Sequence, residues 1–313
     1  MKSRCLVILA LLALVPLARA TERGVMMRAA QIYLQPDTAS ARIATIECGR
    51  ELAVLEHSRD WIHVLATLSE NPETGGSRDV TGWMLDKGVV RAHTPDGDRI
   101  LYGQAASLEA EASRRGGRKG AAQDAMRLYA RTAEYFPQSP LAGEALYRAA
   151  DIRWQIDRAD VMSRASARRT DPRDRLYGMD DRGMKQVIKK FPHTKWADLA
   201  AFHLIENKLC GDWQGLAECP EKESELYEKY ADEHPQSPTA AEALYDAAWR
   251  RAALIELYKT AGKANKSPDA KARAAAFARR VISSYPQTDW AARAQTLLYM
   301  MDQGIPTYGN AME

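Results

Sequence analysis

The side chains able to do chemistry are few and scattered along the 313 residues. His203 and Glu206 stand one helical turn apart, but two ligands do not make a metal site, and packing accounts better for His203. Asp180-Asp181 has the form of an acid pair at a helix start, where carboxylates meet the positive end of the helix dipole. Cys48 as a nucleophile would need an adjacent base. Only His57 and His63 are near it in sequence, and a small buried side chain at a strand end explains it better. No Gly-x-Ser-x-Gly elbow, phosphate loop, dinucleotide fingerprint or His-Glu-x-x-His pair occurs. The expectation is a protein with no catalytic residues, no metal ligands and no cofactor. What remains are side chains suited to binding or crosslinking: the aromatic residues Tyr33, Trp61 and Trp83, and the pair Cys210 and Cys219.

The first twenty residues read as an export signal. Lys2 and Arg4 precede an uncharged apolar run of 13 residues, Cys5 to Leu17, and Ala18-Arg19-Ala20 supplies a small-x-small site with cleavage after Ala20. A membrane-spanning helix needs about 20 apolar residues, so no transmembrane anchor is expected. Cys5 lies at the start of the run and not just after it, so no lipid anchor is expected either. Cleavage removes three cations and no acid from 44 Lys+Arg and 41 Asp+Glu, leaving 41 of each. A neutral mature chain argues against nucleic acid as a partner. The expected location is the periplasm, or outside the cell where there is no outer membrane. That setting permits a disulfide, expected between Cys210 and Cys219, which lie close together in a loop.

From 25 to 92 the chain alternates over short runs and lacks helical periodicity. Arg42–Ile46, Glu51–Leu55, Trp61–Leu65, Val80–Met84 and Gly88–Val90 are separated by turn residues, which predicts a small antiparallel barrel or sandwich. The order Tyr33-Leu34-Gln35-Pro36, Cys48-Gly49, Leu52-Ala53-Val54-Leu55, Trp61-Ile62-His63-Val64 and Thr81-Gly82-Trp83-Met84 resembles the bacterial SH3 family along the whole segment. The departure is Thr67 to Asp79, which lengthens one hairpin. The resemblance implies an SH3-like β-barrel that binds cell-wall peptides or glycans (peptidoglycan), or protein partners. It implies an aromatic groove formed by Tyr33, Trp61 and Trp83. The same family often buries these tryptophan positions in its own core, so both placements stay open here.

Residues 93–120 read as a linker. Thr94-Pro95-Asp96-Gly97-Asp98 is turn chemistry, a short helical-looking stretch surrounds Leu108-Glu109-Ala110, and Arg114 to Gly120 mixes glycine with solvated cations. Beyond it, 121–303 repeats itself. Pro137–Ala150 recurs at Pro235–Ala248 with eleven of fourteen positions identical, and Phe191–Ala197 recurs at Tyr285–Ala291. Each unit predicts a helix ending at the aromatic residue or His before a proline, which cannot continue it. Ser139, Thr194, Ser237 and Thr288 are placed to cap the next helix, with Pro140 and Pro238 at its first position. Small residues such as Ala142, Ala145, Ala149 and Ala240, Ala243, Ala247 give close helix packing, and Thr132 interrupts one apolar stripe. Two insertions are expected, Arg158 to Met179 and Gly211 to Glu221, with 304–313 as a C-terminal tail.

A stack of such hairpins is a solenoid. The aromatic-Pro-x-Ser/Thr joint resembles the tetratricopeptide repeats of exported bacterial proteins, among them the BamD and YbgF (CpoB) envelope families. The expected fold is therefore α+β and multidomain, an SH3-like β-barrel followed by an all-α solenoid. The expected function is a non-catalytic envelope binding or scaffold protein whose repeats contact other envelope proteins. A component of outer-membrane assembly is the alternative. A wall-targeted hydrolase would have no domain left for its catalysis.

Overall fold

The computed structural model describes residues 22–71, 76–163, 179–210, 213 and 215–308. The proposed signal peptide and its cleavage site lie outside them. The chain divides into two compact units, one ending at Ala92 and the other starting at His93.

The first unit is one antiparallel sheet of seven strands: β1 Glu22–Met26, β2 Ala30–Tyr33, β3 Arg42–Ile46, β4 Glu51–Ser58, β5 Trp61–Asn71, β6 Gly76–Leu85 and β7 Val89–Arg91. Its order is β3-β2-β6-β5-β4-β1-β7. Among the described residues the end strands β3 and β7 do not pair with each other, so hydrogen bonding does not close the sheet into a barrel. Alternation decides the faces. Ile62, Val64, Ala66 and Leu68 of β5 point into a core shared with Met26, Ile32, Ile46, Leu52, Val54, Val80 and Met84. The insertion at Thr67–Asp79 extends the β5–β6 ladder, with Thr67 opposite Asp79 and Ser69 opposite Ser77. Cys48 is buried, and its thiol donates to the Met27 carbonyl at 3.1 Å.

Gly82, within the Thr-Gly-Trp corner, is held by sterics. A Cβ there would stand 2.6 Å from Ile43, 2.7 Å from Ile32 and 2.7 Å from the Tyr33 carbonyl oxygen. The backbone oxygen cannot swing aside, so Gly82→Ala is expected to cost about 1–3 kcal/mol. Urea unfolding of the purified protein checks this, and an unchanged midpoint for the sheet transition would contradict it.

The second unit is helical: α1 Gly97–Ala112, α2 Ala121–Tyr135, α3 Ala142–Ser163, α4 Arg182–Lys190, α5 Lys195–His203, α6 Glu218–Glu233, α7 Ala240–Thr260, α8 Ser267–Ser284 and α9 Asp289–Gln303. Four helices end alike. Phe136, Phe191, His234 and Tyr285, each before a proline, leave the helix at φ −127° to −132° and ψ 51° to 60°. The caps divide by sequence. Thr194 and Thr288 accept from the amides of Ala197 and Ala291, as expected. Ser139 and Ser237 do not cap. Each hydroxyl accepts from the amide two residues on, at Leu141 and Thr239, and the helices begin only at Ala142 and Ala240. The proline after each serine holds it out of the helical region and delays the start. Pro140 and Pro238 therefore precede the helices and do not open them.

The linker expectation is corrected. Residues 97–112 form α1, which lays Leu101, Ala105 and Leu108 in one buried stripe and packs on α2. Tyr102 donates to Glu144 at 2.6 Å, Tyr129 donates to Glu109 at 2.7 Å, and the two rings meet edge-on. Only 113–120 connects helices, turning at Gly116 and Gly120 with φ of 79° and 84°. Thr132 is fully buried in its stripe, with its hydroxyl satisfied by the Leu128 carbonyl at 2.9 Å. Of the expected insertions, α3 runs through Arg158 to Ser163 and α6 begins at Glu218, so each is shorter than expected.

Candidate functional site

In the sheet unit, Tyr33, Trp61 and Trp83 come together, and they do so on the face away from the core. Strand pairing sets Trp83 opposite both Tyr33 and His63. The His63 and Trp83 rings stack at 4.9 Å and 29°, and Tyr33 meets Trp61 edge-on at 5.6 Å. Neither tryptophan belongs to the apolar core; both are half-buried, and Tyr33 is 9% exposed. His63 is the member that sequence reasoning missed as a site residue. Its signal was present, because Ile62 and Val64 alternate with Trp61 and His63 and cannot share their face. Leu65, two residues after His63 on β5, is exposed, as is Leu34 just past the end of β2. The surface offers ring faces and one imidazole, a platform for apolar or CH-rich ligand surfaces.

The proposed base partners of Cys48 are elsewhere. His57 pairs with Glu22 at 3.1 Å, and His63 is in the aromatic stack.

In the helical unit, Cys210 and Cys219 are joined by a disulfide with Cα atoms 5.9 Å apart. The loop they close is pinned by buried Glu223. Its carboxylate accepts from the Cys210 amide at 2.8 Å, from the Trp213 indole at 3.2 Å and from Arg250 Nε at 2.8 Å. Trp213 packs on Trp249 and on Tyr308 of the C-terminal segment, with centroids 5.2 and 5.1 Å apart.

His203 and Glu206 are brought together by Trp154, whose indole donates to Glu206 at 3.1 Å and whose ring meets His203 edge-on at 4.5 Å. Asp151 lies 3.7 Å from His203 Nδ1. Burial lowers the His203 pKa below 6.5 and raises that of Asp151 above 3.8. Among the described residues no group of three or more His, Cys, Asp and Glu is placed to hold a metal ion. Nor is any of their helices long and apolar enough to cross a membrane.

No protein-family model matches the chain, and no curated protein matches it. Among solved structures, a DHF79 filament is similar over 64% of this chain and 96% of its own, at 15% identity and a TM-score of 0.22. A likeness that low carries no argument about fold or function, so the site rests on its own geometry.

Asp180-Asp181 does stand at a helix start. Asp181 precedes α4, and Asp180 accepts from the Arg182 amide at 3.0 Å and from its guanidinium at 2.8 and 2.7 Å. That fork, Arg182 Nε and Nη2 on Asp180, lowers the acid's pKa to about 2. The pair serves local structure.

Proposed function

We propose that this chain is an exported, non-catalytic binding protein of the cell envelope, with an SH3-like module followed by a tetratricopeptide-like array. The single observation that carries the binding role is the stack of Tyr33, Trp61, His63 and Trp83 outside the sheet core. Trp61, His63 and Trp83, half-buried and outside the apolar core, with buried Tyr33 behind them, are ligand surface in kind. A wall glycan or peptide is the ligand class we assign to it. The Cys210–Cys219 disulfide supports export, because such bonds persist in oxidising compartments. The repeated helical hairpins support a role in holding other envelope proteins, as stacked hairpins present long surfaces.

Co-sedimentation with purified cell-wall sacculi tests the reading. The mature protein is expected to pellet, and Trp61→Ala or Trp83→Ala to reduce the pelleted fraction at least fivefold with the circular dichroism spectrum unchanged. Failure of the unaltered protein to pellet would remove the wall as ligand. Crosslinking in cells would then favour the second reading, a scaffold within an envelope assembly, which the helical repeats support on their own.

A further inference from the structure

We infer a second binding site, in the last helical repeat, for a peptide segment that places an aromatic side chain beside an acidic one. A cavity of about 190 Å³ lies between α7 and α9 and the segment after α9. It is lined by Tyr245, Trp249, Arg293, Leu297 and Met300, with Thr296 and Thr307 at its polar edge. An engineered protein cavity of about 150 Å³ with apolar walls accepts benzene, so this one has room for a single aromatic ring. The walls suit a ring better than an aliphatic chain. Tyr245 and Trp249 offer aromatic partners, and the Met300 thioether favours an aromatic edge.

The charge at this cavity is selective. Arg293 is the one charged residue among those lining it. Its guanidinium lies over the Trp290 ring at 4.5 Å, and Trp290 is itself packed on Tyr245 at 5.3 Å. Among the described residues no carboxylate comes within ion-pair distance of it. Glu242, on the same helix as Tyr245, feels its field, which opposes the rise that burial gives the Glu242 pKa, while Asp246 is bound to Arg250 at 3.3 Å. Arg293 is therefore oriented by an aromatic face and keeps its bidentate fork for an incoming carboxylate.

The repeat itself supplies the comparison. Tyr147 and Trp196 of the first copy pair as Tyr245 and Trp290 do, at 5.7 Å. Carrying the register onward, the positions of Arg293, Thr296, Leu297 and Met300 hold Leu199, Phe202, His203 and Glu206. There Phe202 packs on Tyr227 and Tyr230, at 6.0 and 5.2 Å. Trp154, one residue filling what Ala252 leaves small, closes on His203 and Glu206. The shared scaffold is thus packed shut in one copy and opened in the other, with a cation added at the opening. This site lies within the helical unit and holds whether or not the sheet binds wall polymer.

Three capped peptides test it by titration calorimetry against the purified full chain: acetyl-Gly-Phe-Asp-Gly-amide, its Phe-Asn analogue and its Ala-Asp analogue. The first is expected to bind, the second about tenfold more weakly, and the third without measurable heat. Arg293→Gln should bring the first peptide down to the level of the second. Thr296→Trp, an exposed position whose enlarged side chain fills the opening, should abolish binding of both. Unchanged helical circular dichroism accompanies each variant, since neither touches the core. Equal affinity for the Asp and Asn peptides would overturn the role of Arg293. No binding of any peptide, or binding that survives Thr296→Trp, would overturn the site.

Discussion

Glu223→Ala is expected to destabilise the helical unit by about 3–5 kcal/mol. Glu223 is 2% exposed and Arg250 8% exposed, so neither charge can turn to water when the other is lost. The carboxylate satisfies three donors on two segments: the Cys210 amide and the Trp213 indole of the disulfide loop, and Arg250 Nε of α7. Without it, Arg250 keeps Asp246 at 3.3 Å and the Tyr227 ring at 4.4 Å, which places the loss nearer the lower bound. The buried indole is left without an acceptor, costing about 1–3 kcal/mol before any relaxation, whereas the part-buried Cys210 amide can recover water. Breaking one half is the costly step, so Glu223→Leu combined with Arg250→Leu is expected to recover part of the loss. Denaturant unfolding of both variants checks this. A loss below about 1 kcal/mol for Glu223→Ala would mean that water reaches the pair and that the network does not hold the disulfide loop.

How much of this was legible in sequence divides along a physical line. Local steric rules were readable. The four aromatic-Pro or His-Pro joints end their helices in one backbone conformation, because the proline constrains its predecessor regardless of what packs around it. The threonine caps were readable for the same reason. The serine caps were not legible, because Pro140 and Pro238 suit a first helical position equally well in sequence, while their effect on the preceding residue keeps it outside the helix. In segment 97–112 the sequence shows helical character only around Leu108-Glu109-Ala110, because the Leu101, Ala105, Leu108 stripe is short and glycine and charge follow it at 114–120.

The candidate sites were less legible, since they depend on pairing between distant segments. That Trp61 faces outward follows from alternation within β5. That it meets Tyr33 requires the order β2-β6-β5, which no local pattern encodes. Glu223 reads in sequence as one more acid on an acidic helix. Its burial is decided by Arg250, 27 residues away, and by a disulfide loop. The cavity beside Arg293 was invisible for a further reason: matching residues in the repeat identify the scaffold, whereas the opening arises from the residues that fail to match.

Trp154→Ala is the second large effect, expected at about 3–5 kcal/mol. The ring is 1% exposed. It lies beyond the matched stretch of the repeat, which is why sequence reasoning passed over it. Its loss opens a cavity between α3 and α5, and neighbours pinned by two helices cannot collapse into it. The hydrogen bond to Glu206 contributes little to the cost, since that carboxylate is 40% exposed and recovers water. Trp154→Phe, which keeps most of the volume, is therefore expected to lose clearly less. His203 supplies a readout that mere loosening would not move. Burial holds its pKa below 6.5, so the folded state refuses a proton that the unfolded chain takes up. Stability contributed by neutral His203 is thus present above pH 6.5 and falls as pH drops toward the folded pKa. Asp151 has the opposite sign, its raised pKa acting from 3.8 upward. Removing the Trp154 ring admits water to the imidazole and is expected to raise the His203 pKa toward 6.5, seen by NMR titration of its ring protons. The loss of stability between pH 7 and the folded pKa should shrink with it. A His203 pKa unmoved in Trp154→Ala would show that groups other than the indole keep the imidazole dry.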